Sequence, residues 1–496
     1  MKIYLVVNNP QNWPHEISGK IPGVEIVSAK AYLTDAKYSS ERNAKVINMC
    51  RSYRYQTSGY YVSLLAAARG HKPLPSVQTI QDLKSPAMTR MVSSELEELI
   101  QNSLSHIQSA KFTLSIYFGQ NVAKCHDKLS SGLFNQFQAP LLLAQFSKNN
   151  ERWYLQNISP IIPSEIPQDH RTEVITMARE YFTKKRGGLK KKANLPYDLA
   201  VLYNPEDPTG PSNERAMQKF VKAAESVGFN TELITKEDYS RLAEFDALFI
   251  RETTSVNHHT YRFARRALAT GLVVVDDPES ILKCTNKVYL AELLDRHKIP
   301  GPKTLILHND NVDQVRQVLG FPCVLKQPDG SFSNGVVRVD NEEQLFKMVP
   351  ELLDKSDLLI AQEFIPTTFD WRVTIFDRKP LFVCKYYMAR KHWQIYERGK
   401  NGKTYSGKSE TLPVSHAPKR VVKTALRAAN IIGNGLYGVD IKELDGNPYV
   451  IEINDNPSID SGIEDLVLED ELYYKIMSGI IDRVEQVKNG ASQYAK

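Results

Sequence analysis

The sequence predicts an α/β protein built from about three domains, and three observations carry that expectation. At 496 residues the chain is too long for one hydrophobic core. Between residues 197 and 275, short apolar runs at 197–203, 230–234, 247–250 and 272–275 alternate with helical patterns at 212–227 and 256–270. That alternation is the grammar of a small parallel sheet covered on both faces. Near the C-terminus two strand-like runs flank Asp445-Gly446-Asn447, a hairpin turn by composition.

The elements follow in order. Residues 2–7 and 24–29 read as buried strands, and 60–69 as a helix ended by Gly70. Runs at 139–146 and 152–158 flank Ser147-Lys148-Asn149-Asn150, a hairpin signal, and 166–182 reads as an amphipathic helix. The basic run 184–192 is either an interdomain linker or a nucleic-acid tether, and the linker is the simpler reading. Past the parallel segment come strands at 304–307 and 322–326, a Gly/Ser-rich loop, and strands at 358–363, 371–376 and 381–387. A polar, basic stretch at 390–410, a helix at 418–432, a strand pair and a last helix complete the chain.

Composition removes several functional classes. With 42% hydrophobic and 24% charged residues, the chain is neither fibrous nor wholly disordered. The formal excess of +6 is concentrated in Lys184, Lys185, Arg186, Lys190, Lys191 and Lys192, so no domain-wide basic face points to nucleic acid. Five scattered cysteines without a C-x-x-C pair indicate neither a disulfide framework nor a zinc site. The longest apolar runs fall far below the roughly 20 residues of a membrane helix, so no membrane partner and a cytoplasmic location are expected.

The segment 437–454 carries the chemistry. A turn centred on Gly446 would set Asp440 opposite Glu452, and Asn454 shares the face of Glu452. Two opposed carboxylates and an amide oxygen are costly together unless a cation neutralises them, and an all-oxygen set favours Mg²⁺ or Mn²⁺. The plainer alternative is a solvated hairpin face. Upstream, the strand ending in Lys326 runs into Gly330-Ser331-Phe332-Ser333-Asn334-Gly335, whose backbone amides could receive phosphate. The P-loop spacing is absent, and taken alone this is equally a flexible surface loop.

Together these residues resemble the ATP-grasp superfamily, and within it the RimK-like carboxylate–amine ligases, over about residues 197–485. The resemblance implies an ATP-grasp fold behind a small parallel α/β domain. It implies ATP as the nucleotide, contacted by Lys287 and Lys326 at the phosphates, with residues 330–335 (Gly330, Ser331, Ser333 and Gly335 among them) as the lid. Gln362, Glu363, Phe364 and Ile365 match the hinge for adenine, and Asp370 lies near the nucleotide. Arg372 and Arg390 match the arginines at the reacting carboxylate, while Asp440, Glu452 and Asn454 fall on the ligand positions for Mg²⁺ or Mn²⁺. The N-terminal part, with Tyr53-Arg54-Tyr55 and Tyr60-Tyr61, resembles a domain fused to a subset of RimK-like proteins. Its tyrosines are either an acceptor surface or core aromatics. The division implied is 1–183, a linker at 184–195, an α/β domain at 196–285 and the catalytic domain at 286–488.

The implied reaction joins a carboxylate to an amine through an acyl phosphate, with an amino acid such as glutamate, or a peptide, as substrate. The stretch 390–410 departs from the loop of the ribosomal-protein-modifying RimK enzymes, so their substrate is not carried over. Its basic character fits an acidic substrate or a solvated loop. An ATP-grasp kinase and a non-catalytic ATP-binding interaction module are the competing readings. A homo-oligomer is compatible with the sequence.

Overall fold

The computed structural model describes residues 2–10, 23–41, 44–183, 195–207, 210–330, 335–389, 392–398 and 404–489. They fall into two compact units, Met1–Gly187 with Tyr239–Glu244, and Gly188–Asp238 with Phe245–Lys496. Of the expected linker, 184–195, residues 184–194 lie outside the described residues.

The first unit opens with a parallel sheet of β1 (Lys2–Val7), β2 (Val24–Ser28), β3 (Ala44–Asn48) and β4 (Lys72–Leu74), in the order β2-β1-β3-β4. Tyr4, Leu5, Val6 and Val7 are buried, as a strand covered on both faces requires. The helix expected at 60–69 runs from Ser58 to Ala68. Its Gly59 is pressed against the Ser52 carbonyl, where no Cβ fits. Of the tyrosines singled out from the sequence, Tyr53 donates its hydroxyl to the Asn48 carbonyl at 2.5 Å, whereas Tyr55 is 66% exposed. Helices Val77–Asp82, Pro86–Glu95 and Glu97–Leu104 follow, none of them anticipated from sequence.

An antiparallel sheet of β5 (Lys111–Tyr117), β6 (Leu141–Asn149) and β7 (Arg152–Pro160) completes the unit with helix Arg171–Thr183. The β6–β7 turn is Asn150-Glu151, both left-handed, so β6 pairs three residues past the expected strand end. The final helix starts at Arg171 rather than 166. Pro167 holds Ile166 extended (ψ 122°), and short turns occupy 163–170.

The second unit begins with parallel strands β8 (Tyr197–Leu202), β9 (Phe229–Ile234), β10 (Ala247–Ile250) and β11 (Val273–Val275), ordered β11-β10-β8-β9. Helix Glu214–Val227 is capped by the Asn213 side chain and ended by Gly228 at φ 113°. Two antiparallel sheets follow. One holds β12 (Thr304–Leu307), β13 (Cys323–Lys326), β14 (Val336–Val339) and β15 (Leu359–Glu363), ordered β12-β15-β13-β14. Next come β16 (Phe369–Phe376), β17 (Lys379–Tyr387), the short pair β18 (Tyr396–Arg398) and β19 (Thr404–Ser406), β20 (Ser409–Leu412), β21 (Leu436–Leu444) and β22 (Asn447–Asp455). All but the short pair form a sheet ordered β20-β17-β16-β21-β22.

Helix Lys419–Ile432 buries Val421, Ala425, Ala428 and Ile432 against this last sheet. The final helix, Asp470–Lys488, sends Leu472, Ile476 and Ile480 into a core shared with Leu199 and Phe220 of the parallel layer. Cys50, Cys284, Cys323 and Cys384 are buried and free, and burial raises each of their thiols; Cys125 is exposed.

Candidate active site

The site is organised by the β21–β22 hairpin. Its turn is Asp445-Gly446, both left-handed (φ 52° and 74°), so Leu444 pairs with Asn447. That register alone would leave Asp440 facing Ile451. A bulge at Ile451 restores the pairing of Asp440 with Glu452, and it turns both Ile451 and Glu452 toward one cleft. Asn454 lies on the same cleft, and Arg372 on β16 is the register partner of Asp440 on its other side.

Each carboxylate is paired with a cation. Arg372 grips Asp440 in bidentate fashion, Nε to Oδ1 at 2.6 Å and Nη2 to Oδ2 at 2.7 Å. The guanidinium also lies over the Tyr386 ring at 4.9 Å, and the Tyr386 hydroxyl donates to Glu464 at 2.6 Å. Lys287 Nζ meets Glu452 Oε1 at 3.1 Å and also donates to the Gly330 carbonyl. Burial raises the Asp440 carboxyl despite Arg372. Burial pushes the same way at Glu452, but Lys287 and Lys326 outweigh it and hold that carboxyl below its ordinary range. Desolvation drives the Lys326 ammonium down to about 8, with Glu452 opposing.

Lys287 is aimed by its helix. Asn286 caps helix Lys287–Arg296 through Tyr289 N at 3.0 Å and donates to Asp329 at 2.9 Å, while Lys287 N donates to the Pro328 carbonyl at 2.9 Å. These bonds dock the helix start onto the loop after β13. Gln362, Glu363, Phe364 and Ile365 line the same cleft, as does Asp370. The Glu363 carboxylate is occupied by Lys303 N at 2.8 Å, and Gln362 donates to the Thr304 hydroxyl at 3.0 Å. Gly335, left-handed at φ 68°, accepts from Gln327 N. Ser331, Ser333 and Arg390 lie outside the described residues.

The sequence reading missed Lys442 and Arg251. Lys442 lines the cleft and binds Asp370 at 2.6 Å and Thr367 Oγ1 at 2.7 Å. It stands two residues from Asp440, and that spacing was an available signal. Arg251, fully buried, donates to Ser212 Oγ, Asn456 Oδ1 and the carbonyls of Pro211 and Pro457. It thereby fixes the chain after β22, whose residues Asn456, Pro457 and Ser458 line the cleft. Nothing local in the sequence marks it.

The donor set fits an oxygen-seeking divalent ion in kind. Among the described residues no group of three or more His, Cys, Asp or Glu is placed to hold a metal, and the expected set consists of two carboxylates and the Asn454 amide. Asn454 here turns its Nδ2 toward Asp440 at 3.1 Å, and ligation would need its oxygen instead. Binding an ion would also displace the pairings with Arg372 and Lys287.

Residues 29–177 match the model of the RimK-like ATPgrasp N-terminal domain, and residues 284–458 match an ATP-grasp domain. The chain is 28% identical over 233 residues to a probable alpha-L-glutamate ligase of Vibrio vulnificus, covering 46% of this chain and 74% of that protein. It is 28% identical over 225 residues to the alpha-aminoadipate–LysW ligase LysX of Saccharolobus solfataricus, covering 42% and 75%. Among solved structures, a D-alanine–D-alanine ligase from Bacillus anthracis superposes with a TM-score of 0.46 at 18% identity, covering 60% of this chain and all of that one.

Proposed function

We propose that this chain, which belongs to the RimK-like ATP-grasp ligases and carries their N-terminal domain, joins an acidic amino acid to an amine at the expense of ATP. The observation that carries the reading is the opposed pair Asp440 and Glu452 in a cleft that also holds Lys287, Lys326 and Arg372. Support for glutamate or a close relative comes from similarity to glutamate and aminoadipate ligases, and from the basic stretch 390–410.

In this reading Lys287 and Lys326 hold the triphosphate, and Gln362–Ile365 with Asp370 bind the nucleoside. Mg²⁺ or Mn²⁺ held by Asp440, Glu452 and Asn454 would supply a Lewis acid for the phosphate oxygens. A substrate carboxylate oxygen bonds to the γ-phosphorus as the bond to the β,γ-bridging oxygen breaks, releasing ADP. The amine nitrogen then attacks the acyl carbon, phosphate departs, and the nitrogen loses a proton to give the amide. Arg372, assisted by Arg390, suits both the carboxylate and the acyl phosphate, because its planar fork matches two oxygens at once. Residues 330–335 and 390–410 exclude water from the acyl phosphate.

The domain division follows the same reading: 1–183, a linker at 184–195, 196–285 and 286–488. No helix among the described residues is long and apolar enough to cross a membrane. Five free thiols and a need for ATP support a cytoplasmic location.

The test is phosphate release from ATP and Mg²⁺ with glutamate and a panel of amines, the amides being identified by mass spectrometry. Release should require a true pair. Asp440→Asn and Glu452→Gln should each lower turnover at least about 100-fold, on the scale of a lost preorganised electrostatic contact. Full activity in both variants would reject the assignment.

A further inference from the structure

The carboxylates that line the cleft each have a donor, with one exception. Asp440 is held by Arg372, Glu452 by Lys287 and Asp370 by Lys442, while Asp329 accepts from Asn286 and Glu363 from Lys303 N. Asp455 lines the same cleft and is only 7% exposed, yet its Oδ2 has no hydrogen-bond partner among the described residues. A buried carboxylate oxygen that has lost its water and gained no donor is destabilising, and in a cleft it points to an occupant.

Asp455 stands apart from the proposed metal set. It follows Asn454 on β22, and strand alternation turns it, with Ile453, to the face opposite Glu452 and Asn454. Its register partner is Tyr437, whose hydroxyl meets Ser280 of helix Pro278–Thr285 at 2.7 Å. The cleft reaches round the end of β22 to that face, where Ile453, Cys284 of the same helix and Thr254 after β10 line it. The surroundings are acidic. Burial, then the like charge of Asp277, oppose ionisation of Asp455, while the Thr254 hydroxyl, which reaches the carboxylate, favours it. Asp276 adds a second like charge. The neighbouring groups have no donor left to offer: Asp276 itself accepts from Leu436 N at 2.7 Å and Asn456 N at 3.0 Å, and the Asn456 side chain is engaged with Arg251 and the Glu252 carbonyl. An occupant must bring its own N–H groups, and the acidic surroundings favour a positive charge on them.

We propose that Asp455 receives the amine substrate as its ammonium, so that the second reactant enters on the face of β22 opposite the metal set. This rests on the ligase reading above, which requires an amine, and deepens it by giving that amine a place and a class. The class is a primary amine with N–H groups to donate, such as the α-amino group of an amino acid or peptide.

The test supplies the full chain with ATP, Mg²⁺ and an acidic amino acid, glutamate first, and offers two small nucleophiles. Methylamine is charged at neutral pH and hydroxylamine is largely uncharged. Mass spectrometry follows the methylamide and the hydroxamate. In Asp455→Asn, which keeps the side-chain shape, the KM for methylamine should rise about ten-fold, the scale of one charge-assisted hydrogen bond. The KM values for hydroxylamine and ATP should move less than about two-fold. A second comparison needs no variant: guanidinium, which donates N–H but does not attack, should compete with methylamine, and tetramethylammonium, which has no N–H, should not. An unchanged methylamine KM, equal rises for both nucleophiles, equal inhibition by both cations, or hydroxamate without methylamide would overturn the ammonium subsite while leaving the ligase standing. If the unmodified chain makes neither product from any acidic amino acid, the ligase reading itself falls, and the subsite with it.

Discussion

Asp440 and Glu452 each have a positively charged neighbour within 3.1 Å, and those neighbours, Arg372 and Lys287, are the residues proposed to hold substrate and phosphate. A divalent ion entering alone must therefore break two ion pairs. One entering with a triphosphate leaves Lys287 and Arg372 with new anionic partners. Arg372→Gln or Lys287→Gln should tighten Mn²⁺ binding several-fold in nucleotide-free solution while weakening the ATP analogue, as paramagnetic resonance of free Mn²⁺ would report. Lys326, at about 8, gives a second expectation. Phosphate favours its charged form, so analogue affinity should fall as pH rises through about 8, and binding near that pH should take up protons. Calorimetry in buffers of different ionisation enthalpy counts those protons, and Lys326→Arg should abolish the uptake.

At the level of elements, the hairpin shows both the reach and the limit of local sequence. Asp445-Gly446 announces a tight turn, and period-two alternation places Glu452 and Asn454 together. The turn itself is half a residue from the expected centre. The bulge at Ile451 corrects the register, and no composition cue marks a bulge among Val, Ile and Glu. Helices 77–104 escaped notice for a related reason: they are short, and tertiary burial of Ile80, Val92 and Ile100 decides their boundaries. Lys442 was within reach of the same alternation, whereas Arg251 acts through partners distant in sequence. Helix Lys287–Arg296 gives the element-scale prediction. Asn286→Ala removes a cap and the bond to Asp329, so it should cost about 1 kcal/mol in urea unfolding and raise the KM for ATP.

Across the second unit, Arg251 joins the parallel layer to the chain leaving the β21–β22 hairpin. Burial lowers its guanidinium to about 10, and its donors satisfy carbonyl, hydroxyl and amide oxygens from two distant segments. Arg251→Ala should strand those acceptors and cost about 3 kcal/mol by chemical denaturation. Arg251→Lys should recover only part of that loss, because an ammonium cannot span the same fork. Of the five thiols, four are shielded in the cores and one, Cys125, faces solvent in the first unit. A maleimide dye added to the unaltered protein should therefore attach at a single known point. No cysteine need be engineered out before the first unit is made to carry a single optical label.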